Sequence, residues 1–353
     1  MENKLDNSSH EVVVMAKDTP GGVVWTDNQG LTVSDSMLKS IPQHLRRAAR
    51  LSGCSLIRTQ GKWSRVPNTK KAAIATPKRD KEIPEGMFCD PLIWKYLCHT
   101  IAMGRNATLI GPAGAGKTKL VRAAAQACKK TLHYENLGST QDPRAALIGT
   151  LQYSKDVGTV FHPSAFVKAI QTPGTVVLLD ELSRAHPEAW NILLPVLEEG
   201  TRSLRLSEAP DSPIITVAKG VCFIATANVG RKYTATRLID HSVLDRCPPI
   251  YIEYLKFEDE LSLIKSTYPF LSKELAISLA QIADITRRES ASEGGKLTTC
   301  ISTRVNLQAA ESLVHGFSLE EVAELLFYPI FSEEGGLSSE RTFVKQVIQG
   351  ALS

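Results

Sequence analysis

The sequence predicts an α/β fold in which a parallel sheet lies between helices and a helical region follows the sheet. Apolar segments of strand length alternate with helix-forming segments from about residue 104 to residue 254. A glycine-rich turn joins the first of these strands to a helix, and beyond Leu255 only helical patterns follow. An apolar share of 43% over 353 residues is sufficient for sizeable cores.

Three regions are expected along the chain. Residues 1–85 form a small basic N-terminal region and linker, residues 86–254 the α/β domain, and residues 255–353 a helical lid with the C-terminal helices. The N-terminal region has short apolar runs and one helix predicted near 36–51. No run of about 18 apolar residues occurs, and the start "MENKLDNSSHEVVV" lacks the features of a signal peptide. We therefore expect no membrane insertion and a cytoplasmic location.

Charge is concentrated in one segment, residues 37–79. It contains eleven basic residues and no acidic residue, although the whole chain carries a net charge of only +4. Three interpretations stay open. The segment contacts nucleic acid phosphates and Trp63 stacks on a base, or it docks an acidic partner, or it is a solvated linker. The seven cysteines are scattered without a CxxC pair, which predicts reduced thiols.

The elements of the α/β region follow from local signals. Asp90 is a predicted N-cap, Pro91 stands at the first helical position and Gly104 ends the helix. The strand "ATLI" and the helix "TKLVRAAAQACKK" come next. The later segments are, in order, strand "TLHYEN", short helix "PRAALIG", hairpin "TLQYSKDVGTVFH", helix "PSAFVKAI", strand "TVVLL", helix "PEAWNILLPVLEEG", hairpin "RSLRLSEAPDSPIITVAKG", strand "VCFIATAN", and four helical segments beginning at "FEDELSLIKSTY".

The motif "GPAGAGKT" is the strongest functional signal, because it fits G-x-x-x-x-G-K-[ST] between a strand and a helix. Its glycines let backbone N–H groups point at phosphates, while Lys117 reaches the β and γ phosphates and the Thr118 hydroxyl binds Mg²⁺. We predict ATP and Mg²⁺ as cofactors. The predicted nucleotide-binding residues are Gly111, Pro112, Ala113, Gly114, Ala115, Gly116, Lys117, Thr118, Lys119 and Asp180.

Polar residues end two of the predicted strands. Asp180 and Glu181 follow the apolar run "TVVLL", and Asn228 ends "VCFIATAN". Ligands of such sheets bind at the carboxyl ends of the strands, so Asp180 is expected to hold Mg²⁺ together with Thr118. Glu181 is expected to orient and deprotonate the attacking water, and Asn228 to contact that water or the γ phosphate.

At this point the sequence resembles a family. The segments "GPAGAGKT", "VVLLDELSRAHPEAWNILLPVLEEG", "FIATAN", "DHSVLDRC" and "ISTR" have the order and spacing of AAA+ ATPases over residues 86–315. They are most similar to the MoxR-like branch, which includes the small subunit of aerobic cobaltochelatase (CobS), the NorQ, CbbQ and GvpN proteins, and the dynein-related AAA domain. The P-loop and the DE pair are common to many ATPases, whereas "DELSRA", the two hairpins and "LDR" are more specific.

The resemblance implies roles for further residues. Asn228 matches sensor 1, and Arg246 matches the arginine finger that enters the ATP site of a neighbouring subunit, which implies a homo-oligomeric, usually hexameric ring. From the residues alone Arg231, Arg237 and Arg246 stay open as sources of this charge. Arg304 matches the sensor 2 arginine of the lid.

Three more expectations come from the same resemblance. The family more often has proline where this chain has Thr303, which predicts a less rigid helix start. Asn136 falls where a polar switch residue faces the catalytic glutamate, and Arg184 is expected between subunits. The implied enzyme is a Mg-ATP hydrolysing ring that remodels a client, with a von Willebrand A domain partner or with metal insertion. A nucleic-acid-stimulated motor and an ATP-gated scaffold with little turnover are the alternatives. No N-K-x-D motif follows the P-loop, which argues against GTP.

Overall fold

The structure is a computed structural model that describes residues 12–19, 22–27, 32–52, 55–59, 62–66, 81–156, 158–228 and 241–352. The chain divides into two compact units, Met1–Asp80 and Lys81–Ser353. In the described part of the chain, no helix combines the length and the apolar character that crossing a membrane requires.

The first unit contains a four-stranded antiparallel sheet and two helices. A small core of Val14, Trp25, Val33, Ile41 and Leu56 joins the sheet to the helices. The sheet order is β2-β1-β3-β4. The elements are β1 (Val12–Thr19), β2 (Gly22–Asp27), α1 (Asp35–Ser40), α2 (Gln43–Ser52), β3 (Ser55–Thr59) and β4 (Lys62–Val66).

This unit differs from the sequence expectation in two ways. The short apolar runs form strands, and the single helix predicted near 36–51 is two helices. The break lies at Pro42, because a proline disfavours helical dihedral angles in the preceding residue, and Ile41 is extended with φ −84° and ψ 124°. Trp63 is half-buried against the core, and its Nε1 donates to Ser40 Oγ at 3.3 Å. The end of the basic segment, residues 67–79, lies outside the described residues.

The second unit begins with an α/β part, as the sequence predicts. Its five strands are all parallel in the order β13-β5-β12-β9-β6, and two antiparallel hairpins, β7-β8 and β10-β11, are inserted between them. The strands are β5 (Ala107–Ile110), β6 (Leu132–Asn136), β7 (Gly149–Ser154), β8 (Gly158–Pro163), β9 (Val176–Asp180), β10 (Ser203–Arg205), β11 (Ile214–Thr216), β12 (Cys222–Ala227) and β13 (Pro249–Tyr251). The helices are α3 (Pro91–Met103), α4 (Lys117–Ala127), α5 (Pro143–Leu147), α6 (Ala165–Gln171), α7 (Pro187–Leu197) and α8 (His241–Arg246).

Both faces of this sheet are covered. Side chains alternate between the faces of a strand, so Val176 and Leu178 of β9 join one core, while Val177 and Leu179 join the other. The predicted parallel sheet between helices is therefore confirmed. Its strand order brings the carboxyl ends of β5, β9 and β12 together at one edge.

The rest of the second unit is helical and has its own core. The predicted segments form α9 (Phe257–Thr267), α10 (Lys273–Ala291), α11 (Thr303–Val314) and α12 (Leu319–Val322), which continues into a π-helical turn at Ala323–Phe327. A last helix, α13 (Glu340–Leu352), lies in the region expected to hold the C-terminal helices, although its segment was not singled out, and its residues Val344 and Ile348 pack into the same core. The predicted division at residue 254 stays a prediction.

Candidate functional site

The loop Gly111–Gly116 joins β5 to α4 at the carboxyl edge of the sheet. Gly114 and Gly116 have positive φ angles of 78° and 85°, which side-chain-bearing residues rarely adopt. A Cβ on Gly111 would collide with the carbonyl of Ile252. Gly116 is the N-cap of α4 and has no side chain that could accept hydrogen bonds from the first amides of the helix. These amides are therefore available to an anion. The loop therefore has the backbone of a phosphate cradle.

Lys117 is buried in this loop, with 7% of its surface exposed. Its Nζ donates to the carbonyls of Gly111 and Pro112 at 2.9 and 2.8 Å, and to Asn228 Oδ1 at 2.6 Å. Burial lowers the pKa of Lys117 to about 8, and Asp180 opposes this shift. The ammonium is therefore held at the floor of the loop.

Asp180, the last residue of β9, is bonded by three hydroxyl groups. Thr118 Oγ1 lies 3.0 and 3.2 Å from its two carboxylate oxygens, and Tyr134 donates to Oδ2 at 3.0 Å. Thr226 of β12 donates to Oδ1. Mg²⁺ at nucleotide sites is held by a few protein oxygens together with phosphate and water oxygens. The adjoining hydroxyl of Thr118 and carboxylate of Asp180 fit that requirement.

Glu181 follows Asp180 in a left-handed conformation with φ 57°. Its amide donates to Thr226 Oγ1 at 3.2 Å, so one threonine side chain contacts both acidic residues. The carboxylate lies against Gly138, where a Cβ would collide with it, and 3.7 Å from Arg184 Nη1. With 34% of its side chain exposed, Glu181 combines a fixed backbone with an accessible carboxylate.

Asn228 follows β12 and lies beside the loop. Its side-chain Oδ1 accepts from Lys117, and its main-chain N–H donates to the buried Ser183 hydroxyl at 3.3 Å. The structure thus brings Lys117, Thr118, Asp180 and Asn228 into contacts at one edge of the sheet, with Glu181 attached through Thr226.

Arg304 lies near the same loop. A Cβ on Gly114 would be 2.7 Å from Ser302 and 3.5 Å from the Cβ of Arg304, and the charge of Arg304 contributes to the lowered pKa of Lys117. The start of α11 is better anchored than the sequence indicates. Ser302 caps it by accepting from the Val305 amide at 3.3 Å, and the Thr303 hydroxyl donates to buried Glu260 at 2.9 Å.

Arg246 lies at the amino-terminal ends of the sheet strands, whereas the loop Gly111–Gly116 lies at their carboxyl ends. It ends α8, just before β13, and its Nε and Nη2 bond Glu198 Oε2 at 2.8 and 2.5 Å. Its carbonyl accepts from Asn106, which immediately precedes β5, whereas the loop at Gly111 follows that strand. Five residues of extended chain span roughly 16 Å, so Arg246 is remote from the loop of its own chain. The alternatives Arg231 and Arg237 lie outside the described residues.

Two other expected roles meet different contacts. Asn136 Oδ1 accepts from the amides of Gly138 and Ser139 at 3.0 and 3.3 Å, which closes its own turn. Within the described residues none of its hydrogen bonds goes to Glu181. Arg184 Nη1 lies 3.7 Å from Glu181 Oε2 of the same chain, and its place between subunits stays a prediction.

Two residues that contact Asp180, Thr226 and Tyr134, were not predicted from the sequence. Thr226 carries a signal, since it is a polar residue two positions before Asn228 in an otherwise apolar strand and is only 2% exposed. Tyr134 carries none, because tyrosine is common in strands.

Comparisons with known proteins agree with this geometry. The model of the AAA domain (dynein-related subfamily) matches residues 106–247. The putative chaperone BssE of Thauera aromatica is 32% identical over 219 residues, which are 61% of this chain and 72% of BssE. The uncharacterized protein YojN of Bacillus subtilis is 30% identical over 160 residues, 45% of this chain and 51% of YojN.

Among solved structures, NtrX from Brucella abortus in complex with ATP has a TM-score of 0.46 and 14% identity, covering 80% of this chain and 72% of that chain. So low a TM-score adds nothing to the sequence matches. On the family match and the similarity to BssE, the chain belongs to the AAA domain family, dynein-related subfamily.

Proposed function

We propose that this chain hydrolyses Mg-ATP to ADP and phosphate. One observation carries the proposal: Lys117, Thr118, Asp180 and Asn228 are joined by hydrogen bonds at one sheet edge, with the accessible carboxylate of Glu181 beside them. A phosphate cradle, a metal-binding carboxylate and a base are the parts that phosphoryl transfer to water needs.

Each residue has a role in this mechanism. The amides of the loop and the Lys117 ammonium bind the phosphates, while Thr118 and Asp180 hold Mg²⁺. When bound, the metal neutralises charge that develops on the phosphate oxygens. Glu181 orients the attacking water and accepts its proton, and Asn228 donates a hydrogen bond to the water or the γ phosphate.

Arg246 is proposed to act in a neighbouring subunit. Its separation from the loop of its own chain by the length of β5 supports this role. An arginine finger acting in trans requires a homo-oligomer, and we propose a closed ring, hexameric as in similar ATPases.

We further propose that the ring remodels a client protein in the manner of MoxR-like ATPases such as the cobaltochelatase subunit CobS. The name of BssE, a putative chaperone, supports work on a protein client. A partner with a von Willebrand A domain, with or without metal insertion into the client, belongs to this proposal. Arg304, beside the loop, would connect the helical lid to the nucleotide.

The Glu181→Gln variant tests the proposal. We expect steady-state phosphate release to fall by about 10²- to 10⁴-fold, while ATP still binds and the ring is held with its partners for affinity capture. Glu258→Gln, an exposed glutamate of α9, is the matched control and should hydrolyse like wild type. Undiminished turnover of Glu181→Gln would remove the base. ATP-driven assembly without hydrolysis in the wild type would favour a scaffold, and stimulation by DNA but by no protein would favour a nucleic acid motor.

A further inference from the structure

Asn106 has a buried side-chain amide and lies at the amino-terminal ends of the sheet strands, opposite the end that carries the candidate nucleotide site. Its exposed fraction is 5%, and every hydrogen-bonding position of its side chain is used. Nδ2 donates to the carbonyls of Leu197 and Arg246 at 3.1 and 3.2 Å. Oδ1 accepts from Arg202 Nη2 at 2.7 Å and from the Phe223 amide at 3.2 Å. One side chain thus ties together α7, α8, the base of the β10-β11 hairpin and β12.

Two of these bonds fix the surroundings of Arg246. The Arg246 carbonyl is held directly, and Leu197 immediately precedes Glu198, the residue that pairs with the guanidinium. A third contact, from Arg246 Nη1 to the Ser242 carbonyl at 2.7 Å, stays within α8. The main chain of Arg246 and the position of its acidic partner therefore both depend on Asn106.

We propose that Asn106 is a positioning residue that sets where Arg246 is presented to the neighbouring subunit. This inference rests on the proposed role of Arg246 as a finger acting in trans. Asn106 precedes β5 and Gly111 follows it, so the residue that aims the finger and the loop that binds phosphate are the two ends of one short strand.

The discriminating substitution is Asn106→Asp. It keeps an oxygen that accepts from Arg202 and Phe223 but loses the N–H groups that donate to Leu197 and Arg246. A misplacement of about 1 Å at a reacting centre can cost on the order of 10²-fold. We therefore expect turnover to fall by about 10²-fold while ATP affinity stays near the wild-type value, since the loop of the same subunit is intact.

Mixed rings separate a positioning role from general damage. Asn106→Asp subunits have a complete phosphate loop and a displaced finger, whereas Lys117→Ala subunits have a defective loop and an intact finger. Assembled together at equal concentrations, the two should hydrolyse ATP faster than the sum of the separate proteins. A defect confined to the loop or the fold of the Asn106→Asp subunit would not be repaired by a neighbour.

Arg246→Ala mixed with Lys117→Ala is the reference, and it must show the same recovery. If neither mixture recovers, the finger in trans fails and the role of Asn106 fails with it. If the Arg246→Ala mixture recovers and the Asn106→Asp mixture does not, the assignment of Asn106 alone is overturned. Wild-type turnover by Asn106→Asp would overturn it as well. Asn106→Ser replaces the aspartate variant if the latter does not fold, and it is judged by the same outcomes.

Discussion

Two of the polar clusters in the described part of the unit Lys81–Ser353, one around Glu260 and one around Glu181, differ in how far their glutamate is buried and bonded. In the helical part, Glu260 is 1% exposed and both oxygens are saturated: Oε1 accepts from Arg287 and Asn306, both at 2.9 Å, and Oε2 from Arg287 at 3.2 Å and Thr303 at 2.9 Å. Glu181 is 34% exposed, and its ion pair with Arg184 is 3.7 Å long. A saturated, buried carboxylate contributes structure, whereas an accessible one with weak partners is free to accept a proton.

The two clusters are physically connected. The guanidinium of Arg287 lies 4.7 Å from the centre of the Tyr254 ring, and the Tyr254 hydroxyl donates to the Ala113 carbonyl in the phosphate loop at 2.8 Å. On the other side, Thr303 links Glu260 to the helix start that carries Arg304. The buried cluster around Glu260 thus anchors the helical part against the loop Gly111–Gly116.

The largest effect on stability is expected from Glu260→Ala. Removal of one partner of a buried ion pair leaves Arg287 uncompensated, which costs about 3–5 kcal/mol. Denaturant unfolding should report this loss in the free energy of unfolding. Glu258→Ala, two residues away on the exposed side of α9, should change the same quantity by less than about 0.5 kcal/mol. Equal stability of the two variants would break the distinction between the clusters.

The sequence predicted much of the cluster around Glu181 because the signals for this cluster are local. "GPAGAGKT" and the DE pair each lie within a few residues, and the parallel sheet fixes that strand ends meet. The cluster around Glu260 had no such signal. Glu260 belongs to a run of three acidic residues in the first turn of α9, and only the packing of α10 and α11 selects which one is buried.

Local signals were also missing for the strands of the N-terminal unit and for the contacts at the amino-terminal ends of the parallel sheet. β3 and β4 are five residues each and carry basic residues that interrupt the apolar alternation, so their pattern does not indicate strands. The contact between Asn106 and Arg246 joins residues 140 positions apart. Such pairs depend on tertiary packing, which a single sequence does not encode locally.

A smaller effect is expected from Thr226→Val, which removes the hydroxyl shared by Asp180 and Glu181 without changing the size of the side chain. Loss of these hydrogen bonds costs about 1–3 kcal/mol, and we expect turnover to fall by about tenfold or more because both acidic residues become less fixed. Thr108→Val is the matched control. Thr108 is a buried threonine of neighbouring β5, and its hydroxyl has no hydrogen-bond partner among the described residues. Equal turnover of the two variants would contradict the role of Thr226.

The smallest effect is expected from Arg304→Ala. Because Arg304 is exposed, its interaction with the phosphates is screened by water and is worth about 1 kcal/mol or less. ATP affinity, measured by titration calorimetry, should therefore fall by about fivefold, and the loss should shrink as salt is added. Arg304→Lys should retain most of the affinity, and Arg288→Ala, an exposed arginine of α10, all of it. If Arg304→Ala binds ATP like wild type at low salt, the helical cluster supports the loop only mechanically. If the affinity falls equally at all salt concentrations, Arg304 acts through the packing of α11 and its charge is irrelevant.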